Sequence, residues 1–117
     1  MQESDIQNQI RIQLSKHGLP FRTHRGEFYQ GTGVFPKAFQ QDVFIHLRRT
    51  SGLPKGFSDL LFVGKDKVAL IECKKLDGVI RSDQIRFLKQ MQQWNHHVGI
   101  ARSVNDALQI MNGGILL

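Results

Sequence analysis

The segment from Ser58 to Cys73 constrains this chain most. SDLLFV and VALIEC are two apolar runs separated only by Gly64-Lys65-Asp66-Lys67. So short a polar connection joins antiparallel strands, and the segment reads as a β-hairpin. Both runs are apolar on both faces, which calls for central strands with helices above and below. Centring the turn on Lys65-Asp66 pairs Val63 with Val68 and Leu61 with Leu70, and brings Asp59 opposite Glu72. Side-chain alternation then puts Asp59, Leu61, Val68, Leu70, Glu72 and Lys74 on one face, and Ser58, Leu60, Phe62, Ala69, Ile71 and Cys73 on the other.

Upstream, Ile6, Ile10 and Leu14 recur every fourth residue and predict a helix from about Gln2 to His17, ended by Gly18 and Pro20. Glu3 and Gln7 lie along the same stripe. Glu3 either points to the core side, where an unpaired charge is costly, or is a solvated first-turn acid favoured by the helix dipole. Alternating segments at Phe21 to Arg25 and Val43 to Arg48 predict two strands joined by a long connection containing Gly26, Gly31 and Gly33. After a loop at Asp77 to Arg81, Ser82 caps a helix to about Asn95, and Val98 to Arg102 reads as a strand. Ser103 caps a last helix with Val104, Ala107, Leu108 and Met111 on one face, Asp106 at capping-box spacing and Gly113-Gly114 as the stop. The 117 residues hold one domain, 1–117, of the α/β class: a central mixed sheet flanked by helices in the order α-β-β-β-α-β-α. Trp94 and most of the eight phenylalanines are expected in its core.

Sixteen Lys and Arg against ten Asp and Glu give a net charge of +6, which favours a polyanionic partner, nucleic acid ahead of a membrane surface. Arg22, Arg25, Arg48 and Arg49 flank the upstream strands, as either a solvated rim or contacts to a phosphate backbone. No apolar run approaches the ~20 residues a membrane span needs, and the first residues do not pattern as a signal peptide, so a soluble, cytoplasmic protein is expected. The single cysteine, Cys73, allows neither an internal disulfide nor a Cys-based zinc site and agrees with a reducing compartment. His96 and His97, adjacent in an expected loop, lack the i,i+4 spacing of a helical metal pair.

The chemistry sits at the hairpin's open end. Directly opposed residues have Cβ atoms about 4.5 to 5.5 Å apart, and like charges there destabilise a sheet unless something compensates them. Lys74, two residues beyond Glu72 on the same face, neutralises part of the charge. Two carboxylates sharing a site also suit a hard divalent cation with oxygen ligands. A purely structural Asp–Glu–Lys network is the alternative. Gln84, on the helical stripe of Phe87, Leu88 and Met91, directs its amide inward, where it can hydrogen-bond a carboxylate or a cation's water.

Gly56-Phe57-Ser58-Asp59-Leu60, Ile71-Glu72-Cys73-Lys74, Ser82-Asp83-Gln84, and Gly99-Ile100-Ala101-Arg102-Ser103 with Asp106-Ala107-Leu108 follow one another over most of the chain. In this order they resemble the VRR-NUC domain of the PD-(D/E)XK nuclease superfamily. The resemblance implies a restriction-endonuclease-like core that hydrolyses DNA phosphodiesters with Mg²⁺, with Mn²⁺ as substitute and no small-molecule cofactor. It implies Asp59 and Glu72 as metal ligands, the main-chain carbonyl of Cys73 completing the shell, Lys74 as the catalytic lysine and Gln84 as its supporting residue. Glu3 resembles a further family acid that reaches the metal directly or through water. Ser58 departs from the family's usual proline, at a position that shapes the start of the strand and is not expected to touch metal. Small stand-alone members of this type are phage and prophage enzymes that act as homodimers on branched DNA. A homodimer, a four-way (Holliday) junction as substrate and, for a phage protein, the host cytoplasm are therefore expected. Two other readings stand beside this one: a non-catalytic DNA-binding or assembly module of the same fold, and a nuclease subunit dependent on a helicase or recombinase. Residues 27 to 55 carry no motif, and substrate preference is expected to reside there.

Overall fold

The computed structural model describes residues 1–23, 28–50 and 53–117, without the side chains of 28, 29, 49 and 50. Helix α1 (Glu3–Leu14) buries Ile6, Ile10 and Leu14, the stripe its four-residue period dictates. It stops at Leu14 rather than His17: residues 15–17 form a turn closed by the Gly18 N–H on the Leu14 carbonyl, 3.1 Å. Gly18 is required there, since a Cβ would stand 2.6 Å from the Val63 carbonyl. Strand β1 (Leu19–Arg22) begins two residues earlier than the alternation suggests. It is an edge strand, where Pro20 can sit without costing a ladder bond.

The element order, α-β-β-β-β-β-α-β-α, differs from the expected α-β-β-β-α-β-α. Among the described residues, strands β2 (Phe28–Val34) and β3 (Val43–Thr50) pair only with each other, as an antiparallel ribbon separate from the main sheet. The sequence hides β2 because Gly31 and Gly33 interrupt its pattern, and glycine has little strand propensity. Among the described residues five strands therefore precede the second helix.

Strands β4 (Leu60–Val63) and β5 (Val68–Cys73) form the expected hairpin, with Leu60 opposite Ile71 and Val63 opposite Val68. Helix α2 (Ser82–Gln93) then crosses to β6 (His97–Ala101), which runs parallel to β5, and α3 (Val104–Met111) follows. The main sheet has the order β1-β4-β5-β6, so the two strands that are apolar on both faces are its central pair. Leu60, Phe62, Ala69, Ile71 and Cys73 pack against Ile6, Ile10 and Leu14 of α1 and Ala107, Ile110 and Met111 of α3. On the opposite face Leu70, Leu88 and Val98 are buried, with Leu61, Val68, Phe87 and Met91 packed around them. The molecule is thus an α/β protein with a mixed sheet between helices.

Several local expectations shift. Ser103 does cap α3, its side chain accepting the Asp106 N–H at 3.1 Å. Helix α2 is different: Arg81 is its N-cap residue and Ser82 its first helical one. His97 belongs to β6 rather than a loop, and its Nδ1–H donates to the Met111 carbonyl at 2.8 Å. Trp94 and Phe21, Phe35, Phe39 and Phe44 are exposed, and Phe62 alone of the described phenylalanine side chains is fully buried. Among the described residues no helix is long and apolar enough to cross a membrane.

Candidate active site

Asp59 stands one residue before β4, at the register position facing Glu72 of β5. Both are buried, Glu72 completely and Asp59 to 8% exposure. The Asp59 carboxylate reaches across to β5, where Oδ2 accepts the Cys73 main-chain N–H at 3.0 Å. Its own main chain is fixed from the other side: the Thr23 N–H donates to the Asp59 carbonyl at 3.0 Å, and the Thr23 hydroxyl donates to the Ser58 carbonyl. Ser58, itself buried, donates its hydroxyl to the Leu60 carbonyl at 3.0 Å. Asp59 is therefore clamped between the end of β1 and the end of β5.

Gln84 joins Ser58, Asp59 and Glu72 as a fourth buried polar side chain among the described residues. Its Oε1 accepts the Arg81 main-chain N–H at 2.9 Å and its Nε2 donates to Glu72 Oε1 at 2.8 Å. The first bond satisfies the N-cap donor of α2 and fixes which end of the amide faces the sheet. The helix start thereby presents a donor to a buried carboxylate.

Gly56 brings the two halves together. It lies at φ +85, and a Cβ there would come within 2.3 Å of the Asp83 carbonyl. Only glycine allows the loop before Asp59 to rest directly on the first turn of α2. Next to it the rings of Phe57 and Phe87 meet with centroids 4.6 Å apart. Desolvation pushes the Asp83 carboxyl up, but the Arg81 guanidinium beside it, together with its own N–H, Lys55 and the Gln84 N–H, holds it below the usual carboxylate range.

Lys74 follows β5 directly and is half-buried; its N–H donates to the Ala101 carbonyl at 3.0 Å and its stem runs beside Gly78. The loop after it is fastened by Arg102, whose Nη1 donates to the carbonyls of Lys75, Leu76 and Gly78 at 2.6, 3.1 and 3.0 Å. Arg102 is held in turn by Asp106, which accepts its N–H at 2.9 Å. In the sequence Gly56 and Arg102 are motif letters without a role of their own. Neither contact leaves a periodic signal.

The remaining candidates are spread out. Glu3 begins α1, which packs on the sheet face opposite the Asp59 and Glu72 side chains, and it is half-buried. Among the described residues no three His, Cys, Asp or Glu side chains are grouped to hold a metal, so Glu3 is not gathered with the pair. Two carboxylates nevertheless suit Mg²⁺, which commonly takes one or two protein carboxylates and fills its shell with water and phosphate oxygens. Arg22 is exposed at the end of β1 paired to Leu60, next to Asp59. Arg48 is exposed on the ribbon, the backbone of Arg49 lies in β3, and Arg25 lies outside the described residues. No family model, curated protein or solved structure matches the chain.

Proposed function

We propose that the protein is a Mg²⁺-dependent DNA endonuclease of the PD-(D/E)XK type, resembling VRR-NUC domains, that hydrolyses phosphodiesters in branched DNA as a homodimer. The observation that carries this reading is the buried Asp59 and Glu72 pair at one end of the central hairpin, with Gln84 bonded to Glu72 and Lys74 two residues further on. Burying two acids side by side costs stability, and a cation-binding role gives that cost a purpose.

Asp59 and Glu72 would hold the ion, with the Cys73 carbonyl beside them and without Glu3. When bound, a divalent cation supplies Lewis acidity and a more acidic water. Gln84 orients the Glu72 carboxylate, because its own Oε1 is committed to Arg81. Lys74 places positive charge where charge develops on the phosphate, and Arg22 supplies a backbone phosphate contact beside Asp59. Water's oxygen bonds to phosphorus as the bond to the departing sugar oxygen breaks, and that oxygen takes up the proton.

The test is incubation of the purified chain with labelled four-way junction, fork and linear duplex, with and without Mg²⁺. Mg²⁺-dependent cutting that is strongest on the junction is expected. Tight binding of all three without any cutting would replace this reading with the DNA-binding module.

A further inference from the structure

Trp94, expected in the core, stands 61% exposed at the C-terminal end of α2, and it is the chain's single tryptophan. The helix leading to it has a buried side, with Gln84 and Leu88, and an open side, where Ser82, Arg86, Lys89, Gln90 and Gln93 are all exposed. These five recur at steps of three and four residues and so form one stripe. With Ile85 they line a shallow groove of about 380 Å³. Trp94 follows one turn beyond Gln90.

The stripe holds two cations, three uncharged hydrogen-bonding groups and no acid. The one acid of α2, Asp83, is held by Arg81, whose Nε donates to its Oδ1 at 3.2 Å. Among the described residues no carboxylate pairs with Arg86 or Lys89. A helix face of cations, amides and a hydroxyl matches a sugar-phosphate backbone, whose oxygens accept from Arg, Lys, Gln and Ser alike. A rise of about 1.5 Å per residue spreads Arg86 to Trp94 over about 12 Å, the length of three to four stacked nucleotides at about 3.4 Å each. An exposed indole at the end of such a track offers its ring face to a base. A membrane surface would instead take the apolar side of the helix, and here that side is packed on the sheet through Phe87, Leu88 and Met91.

We propose that this open side of α2 holds a single strand of DNA, with phosphates on Arg86 and Lys89 and an unpaired base stacked on Trp94. The head of the stripe adjoins the candidate site, because Gln84, two residues past Ser82, donates to Glu72 at 2.8 Å. The strand so held is the one left unpaired at a branch point. The proposal rests on the proposed function in taking DNA as the substrate, but Arg86, Lys89 and Trp94 lie outside the carboxylate site, so holding and cutting can fail separately.

The emission of Trp94 reads the contact directly, since the chain has no second tryptophan. In EDTA, single-stranded oligothymidine should quench it and linear duplex should leave it nearly unchanged. By anisotropy of a labelled oligothymidine, Trp94→Ala should weaken binding about tenfold, and Trp94→Phe, which keeps a ring, should recover most of that loss. Arg86→Gln with Lys89→Gln should lower the slope of log affinity against log salt by about 1.4, the share of two phosphate contacts on a single strand. Lys65→Gln, exposed at the turn of the β4–β5 hairpin, should leave the slope unchanged. Unquenched emission at saturating oligothymidine, equal quenching by duplex, an unaltered slope in the double variant, or tighter binding of oligouridine each overturns the assignment. So does a brighter, blue-shifted emission on anionic phosphatidylserine vesicles without any response to DNA. Mg²⁺-dependent cleavage by a protein whose emission DNA does not quench would sink the track and spare the nuclease, whereas quenching without cleavage of any substrate would do the reverse.

Discussion

Gln84 Nε2 donates to Glu72 Oε1 at 2.8 Å while Gln84 Oε1 accepts the Arg81 N–H, so a single side chain both closes the start of α2 and orients a fully buried carboxylate. Gln84→Glu keeps the acceptor but sets a second carboxylate against the first. Leaving a buried charged group without its donor costs about 2 to 3 kcal/mol. Urea denaturation should show a loss of that size, with a smaller loss for Gln84→Met. Equal midpoints for wild type and both variants would show that the bond does not hold the site.

Gly56→Ala should destabilise by more than the ~1 kcal/mol typical of a surface glycine, because left-handed strain adds to a clash with the Asp83 carbonyl. The loop before Asp59 would lift from α2 and carry the carboxylate with it. Cleavage should fall even below the melting temperature. A variant as stable as wild type would refute the close approach.

Asp59→Asn distinguishes a metal pair from a structural network. A cation held only by the folded state stabilises it by RT ln(1 + [L]/Kd), about 2.7 kcal/mol at a hundredfold excess over Kd. Millimolar Mg²⁺ should raise the melting temperature of wild type and leave that of Asp59→Asn unmoved. Identical wild-type melting curves in Mg²⁺ and EDTA would favour the network.

Lys74→Ala should lower the cleavage rate about a hundredfold or more while DNA affinity changes little, because charge stabilisation in the transition state is lost and distributed arginines keep the phosphate contacts. Rate and affinity falling in parallel would instead make Lys74 a binding residue.

Arg102→Met removes three hydrogen bonds from the carbonyls of Lys75, Leu76 and Gly78. Trypsin should then cut after Lys74 and Lys75 faster than in wild type, and Arg102→Lys, which keeps a charged donor, should recover part of the protection. Unchanged digestion would show that the loop is held by other contacts.

The register of the β4–β5 hairpin was legible in the chain, although β4 begins at Leu60 rather than Ser58, because a four-residue polar turn fixes the register and the register fixes every face. The opposition of Asp59 and Glu72, the burial of Ile6, Ile10 and Leu14, and the Ser103 cap follow from such short-range rules. What sequence alone could not determine depends on atoms that meet only after folding. Gly56 against Asp83, Arg102 across the loop after Lys74, and the amide of Gln84 shared between Arg81 and Glu72 join residues far apart in the chain or settle a direction that periodicity leaves open. The ribbon is the clearest case. Glycines masked β2, and a one-residue bulge at His46 reversed the side on which Leu47 emerges, so that it lies exposed on the same face as Phe44. Periodic local forces wrote the central sheet, and the tertiary structure decided which polar groups share a site and which apolar ones stay exposed.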